Sequence, residues 1–265
     1  MRITSQNLDQ TIALNREIEK EVLEHIKFME KHLNKLRILS PEKQALQILK
    51  DHNLIQIPIP DPNWGGAIYQ LPNGHKVPII NTAQPRLYQY FICWHEVYHL
   101  TESSNGNATH NISTEFDLTE RKADYFASQM LISEGVFPYY HKLNSYDFTD
   151  RIAFCMDTFK APYKAILIQL YELAICSENA PLQHKIKEFF DVKLNHSTWK
   201  DIFSRLSLDT ALVMPTHIID FGKLKELIFD KSERHHDVPL YAENKDFLLE
   251  LEKRFIAVKD AFPVG

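Results

Sequence analysis

Glycine is scarce, with 7 residues in a chain of 265. Beside many leucine, isoleucine, glutamate and lysine residues, that shortage favours a mostly helical chain. Cysteine is also sparse. Cys93, Cys155 and Cys176 form no CxxC pair, which excludes a disulfide framework and a cysteine-type zinc site. They read as small buried hydrophobes in a reducing compartment. No segment approaches the ~20 apolar residues of a membrane span. The N-terminal MRITSQNLDQTIALNREIEK has no apolar core of signal-peptide length. The expected location is therefore cytoplasmic. Basic residues are not in excess: 30 Lys and Arg stand against 35 Asp and Glu, a net charge of −5. Direct nucleic-acid binding would want a basic stripe, and none is present. With 44% hydrophobic and 25% charged residues, wholesale disorder is excluded as well.

The chain is long enough to bury a sizeable core. Residues 6–39 read as one long helix, with Leu8, Ile12, Val22, Ile26, Met29, Leu33 and Leu36 on a three-four stripe. Asn15 and Glu19 interrupt that stripe with polar groups. Ser40 and Pro41 suggest an N-cap and first-turn proline of a short helix ending near Asp51. Between 54 and 81 the texture changes. LIQIPI, GAIYQLP and KVPIIN read as three short strands, the last two a hairpin about Pro72, Asn73 and Gly74. Helices are expected near 86–103, 114–132, 145–158, 162–177, 181–193, 198–206, 221–231 and 241–260.

The chemistry-bearing segment is Cys93-Trp94-His95-Glu96-Val97-Tyr98-His99, which contains H-E-x-x-H. Histidines four apart share one helical face, so His95 and His99 can offer two imidazole nitrogens to one ion. Glu96 lies about 100° around the helix, placed to act as a base on water beside the metal without ligating it. A catalytic Zn2+ site needs a third protein ligand and one open position. A glycine and histidine at 102 and 105 would supply one known solution, but Glu102 and Asn105 stand there. A glutamate from a later helix is the other solution, and Thr119-Glu120-Arg121-Lys122-Ala123-Asp124 provides Glu120. Glu115, Asp117 and Asp124 remain alternatives. If Glu120 ligates, Asp124 sits one turn on, where it can orient a histidine through its far nitrogen.

These residues resemble the ImmA/IrrE-type metallo-endopeptidases over roughly residues 50–175. The resemblance rests on Pro78-Ile79-Ile80-Asn81, on the stretch from Arg86 through Phe91 into His95-Glu96-Val97-Tyr98-His99, and on Glu120-Arg121-Lys122-Ala123-Asp124-Tyr125-Phe126-Ala127. Relatives typically continue with Leu-Leu-Met-Pro; here Met130-Leu131-Ile132-Ser133 lacks the proline. The resemblance implies an α+β, mostly helical fold. Its zincin-like core would hold a small three-stranded sheet and an active-site helix, followed by a helical C-terminal region. The corresponding division is 1–40 for an N-terminal amphipathic helix, 41–140 for the peptidase core and 141–265 for the helical remainder. It also implies zinc on His95, His99 and Glu120, Glu96 as base, and a protein substrate. That substrate would be a DNA-binding regulator or an antitoxin-like partner. Residues 147–177 suit the family's region resembling a helix-turn-helix, without a basic recognition face.

Hydrolysis would also want a donor for the oxyanion. Tyr98, Tyr125, Tyr139, Tyr140, His110 and His141 are the residues to consider. Tyr98 reads as core, whereas Tyr140 and His141 follow the glutamate helix and can return to the cleft. Trp64 is placed to cover the cleft edge, and an edge strand nearby can bind extended substrate. Adjacent His235 and His236 read as a solvated loop. Two other functions fit the same residues: a zincin-like metal-binding sensor or interaction module, and the effector half of a toxin–antitoxin-like pair.

Overall fold

The computed structural model describes residues 3–102 and 117–261. Helix α1 (Leu8–His32) ends in a 3-10 turn at Leu33–Leu36, so the long expected helix tightens before its end. Its stripe is buried as read, with Leu8, Ile12, Val22 and Met29 in the core. Helix α2 (Pro41–Asp51) starts after Ser40 with proline in its first turn. The strands are β1 (Ile55–Ile57), β2 (Gly66–Gln70) and β3 (Lys76–Asn81). Their order is β1-β3-β2, with β1 parallel and β2 antiparallel to β3. The β2–β3 turn uses Gly74 at φ +83°, a conformation that favours glycine.

Helix α3 (Arg86–Thr101) runs against the sheet and packs on α2 and α4 (Leu118–Leu131). Leu87, Phe91, Ile92, Cys93, Trp94, Val97 and Tyr98 are all buried, covering most of its circumference. A helix apolar on nearly every side must lie inside the molecule. This one does, and it carries the H-E-x-x-H residues with it.

The C-terminal region is helical: α5 (Val136–Lys142), α6 (Phe148–Phe159), α7 (Tyr163–Cys176), α8 (Ala180–Phe189), α9 (His196–Arg205), α10 (Lys223–Arg234) and α11 (Pro239–Ala261). Helix α5 was not expected, since Gly135 and Pro138 mask seven residues of helix. Helix α6 stops at Lys160, which is left-handed, and Pro162 precedes α7. Asp150 at the start of α6 takes both arms of Arg205 from α9, at 2.8 and 2.5 Å. After α9 the chain returns to the sheet. Arg86 N–H donates to Met214 C=O, Thr216 N–H donates to Thr82 C=O, and Gln56 pairs with Asp220. That return covers the outer edge of β1, whereas β2 keeps its outer edge open among the described residues.

Candidate metal centre

Asp117 caps α4 by accepting from Thr119 N–H at 2.8 Å, which puts Glu120 in the first turn facing α3. The Glu120 carboxylate spans both histidines, with Oε2 3.2 Å from His95 Nε2 and Oε1 3.2 Å from His99 Nε2. The two Nε2 atoms are 3.0 Å apart. One donor atom from each of these three residues lies within 4.8 Å of the others, a grouping that could hold a metal ion. Two imidazoles and one carboxylate are the donor set of a catalytic zinc site, and this set fits.

His95 Nδ1 donates to Asp124 Oδ1 at 3.0 Å. With Nδ1 engaged in that bond, Nε2 is the nitrogen turned toward Glu120 and His99, able to ligate a cation once it is deprotonated. Behind Asp124 stands Arg121, 3.9 Å away. Its Nε donates to Asn15 Oδ1 at 2.9 Å, and its Nη2 reaches the same oxygen. The polar break in the α1 stripe is therefore an anchor: Asn15 is fully buried and ties α1 to the residue beside Asp124.

Burial works against charge on His95, yet the hydrogen bonds it donates to Asp124 and Glu120 outweigh it and raise its pKa well above the usual histidine value. Hydrogen bonds from His95 and then His99 hold Glu120 far below the ordinary carboxylate range. A proton on His95 and a cation on its Nε2 draw on the same carboxylates. Glu96 is 3% exposed, and burial pushes its carboxyl up to about 7, with His95 opposing and Glu120 assisting.

These groups open onto a cleft of about 350 Å³ lined by His95, Glu96, His99, Glu120 and Asp124 on one side. Trp64, Gly65, Gly66, Ala67 and Ile68 form the other, along the open edge of β2. Trp64 is at the cleft edge, as expected. Close approach requires glycine at position 66 and leaves little room at position 65. A Cβ on Gly66 would lie 2.9 Å from the Ile79 carbonyl and 3.0 Å from Glu96 Oε1, and one on Gly65 would lie 2.8 Å from Ile92. Asn81 holds this loop in place. Its Oδ1 accepts from Ile59 N–H at 2.8 Å, and its Nδ2 donates to Trp64 C=O at 2.8 Å.

Tyr140 and His141 are not among the residues lining the cleft. Tyr140 is buried beneath Arg151 and against Phe148, and His141 turns edge-on to Phe137. Helix α5 follows α4 in sequence but packs its buried side on α6 and α7. Tyr98 lies in the core as expected, Tyr125 OH reaches Glu172 at 3.5 Å, and Tyr139 OH meets Thr158 at 2.9 Å. His110 and Glu115 lie outside the described residues. The cleft does have a phenol: Tyr88, whose pKa is pushed to about 12, first by burial and then by Asp124. Its spacing of seven from His95 puts it on the same face of α3, a signal legible in the sequence. His235 and His236 are exposed, and no helix among the described residues is long and apolar enough to cross a membrane.

An H-E-x-x-H helix, a glutamate from the next helix in reach of both histidines, and a cleft beside the open edge of a small sheet define a zincin-like metallohydrolase. Residues 50–171 match the IrrE N-terminal-like domain of the ImmA/IrrE metallopeptidases. No curated protein and no solved structure matches it.

Proposed function

We propose that the protein is a zinc-dependent endopeptidase that cuts one peptide bond in a regulatory protein partner. His95, His99 and Glu120 hold the metal in this reading, and Glu96 is the base. One observation carries it: three potential ligand atoms converge within 4.8 Å on a cleft that Glu96 shares. When bound, zinc would polarise the scissile carbonyl and acidify water toward neutrality. Glu96 takes the proton of the attacking water and delivers it to the leaving amine. Asp124 keeps His95 in the tautomer whose Nε2 lone pair faces the site. Tyr88 is the phenol positioned on the cleft wall to donate to the developing oxyanion.

The open edge of β2 supports a polypeptide substrate. Unpaired strand groups along Gly66–Ile68 can bind an extended backbone while Glu96 faces the bond to be cut. A buried carboxylate beside the ligand cluster suits a hydrolase better than a metal-stabilised binding module, which needs no base there. The partner being a DNA-binding regulator or antitoxin-like protein follows from the family resemblance. The test uses zinc-loaded full-length protein and a pool of peptides from a digested proteome, with new termini read by mass spectrometry. Glu96→Gln is expected to lower cleavage by about 10²–10⁴-fold while zinc content stays unchanged. Cleavage by Glu96→Gln at the wild-type rate would remove Glu96 from the mechanism.

A further inference from the structure

A second cavity, about 510 Å³, lies next to the cleft and is larger than it. Its surface is more apolar than polar: Leu87, Met156, Trp199 and Val213 are buried in its wall, with Tyr163 beside them. Lys193 and His196 stand exposed at its rim, and no carboxylate is among its lining residues. Tyr88 belongs to the walls of both cavities. Pro62 lines this groove and the next residue, Asn63, lines the cleft, so the two follow one another along the segment that leads into β2. Trp199 and Val213 come from beyond residue 171, outside the matched peptidase domain. The groove therefore exists because the C-terminal helices fold back onto the start of α3.

We propose that this groove is a second recognition site for the substrate polypeptide, taking a large apolar side chain flanked by an acidic residue. This rests on the peptidase reading above, since the groove matters as the continuation of a substrate path. A strand laid along β2 that passes Glu96 toward Gly65 next meets Tyr88 and then the groove. Apolar walls of this size accept an aromatic or leucine side chain, and the desolvated contact supplies most of the binding energy. Lys193 at the rim, unopposed by any lining carboxylate, selects an acidic neighbour and rejects a basic one. The chain thereby recognises its target partly through helices that the peptidase domain itself does not contain.

The experiment pans a display library of random linear peptides on full-length Glu96→Gln protein loaded with zinc, which binds without cutting. Recovered sequences are expected to be enriched in Phe, Trp, Tyr or Leu next to Asp or Glu. Lys193→Glu and Val192→Asp change exposed positions and leave the buried wall intact. Each is expected to weaken binding of the recovered peptides by about tenfold, and Lys193→Glu to shift enrichment toward Lys and Arg. No such enrichment, or affinities unchanged in both variants, would overturn the groove assignment. Peptides that bind in this groove-dependent way but are never cut by the wild-type protein would overturn the peptidase reading instead.

Discussion

Helix α1 and the α10–α11 hairpin both lie outside the matched domain, at opposite ends of the chain, and they are attached in different ways. Helix α1 buries Leu8, Ile12, Ile18, Val22 and Met29 against α4 and α7. It also sends Asn15 into the centre, where Arg121 links it to Asp124 and so to His95. Helix α10 has no buried residue, and α11 buries only Leu248 among its described hydrophobics. An ion pair between Lys225 and Glu252 at 2.7 Å and a ring contact between Phe221 and Phe255 hold the hairpin to itself and to its stem. Leu227 and Phe247 are more than half exposed. In this chain, the terminal helix tied to the candidate metal centre is the one that sends a polar group from its buried face to Arg121, beside Asp124.

The largest expected effect lies in α1. Ile12→Ala should cost about 2–5 kcal/mol in urea unfolding, because it leaves a cavity in a packed core. A cost below about 1 kcal/mol would mean that α1 is a loose strap like the hairpin. Asn15→Leu should follow at about 1–3 kcal/mol, since the buried Arg121 guanidinium loses its acceptor. It should also weaken zinc binding in a chelator titration, because Arg121 no longer steadies Asp124. Unchanged zinc affinity would break the link between α1 and the metal centre. Phe247→Ala in the hairpin should be the smallest, within about 0.5 kcal/mol and without effect on zinc. A larger loss there would erase the contrast.

What could be read from the sequence was what short-range geometry governs. His95, Glu96 and His99 share one helix, so their relation follows from helical spacing alone, and Glu120 and Asp124 repeat the same logic one helix later. The stripe of α1 and the three strands were legible for the same reason. Asn15 appeared as a break in that stripe, but its purpose required the position of Arg121, more than a hundred residues away. The crowding at Gly65 and Gly66 leaves no local signal, because the Ile79 carbonyl comes from β3 and the Ile92 and Glu96 side chains from α3. The placement of Tyr140 and His141 depended on how α5 turns after α4, which no local pattern records. The groove is assembled from segments around 62, 88, 156, 194 and 213, and packing alone brings them together.

The most direct measurement is zinc content, by elemental analysis of wild-type, Glu96→Gln, His99→Ala and Glu120→Ala proteins purified in parallel. About one zinc per chain is expected in the first two, with loss in His99→Ala and Glu120→Ala, because three protein ligands leave none to spare. Full zinc occupancy in both His99→Ala and Glu120→Ala would contradict the site.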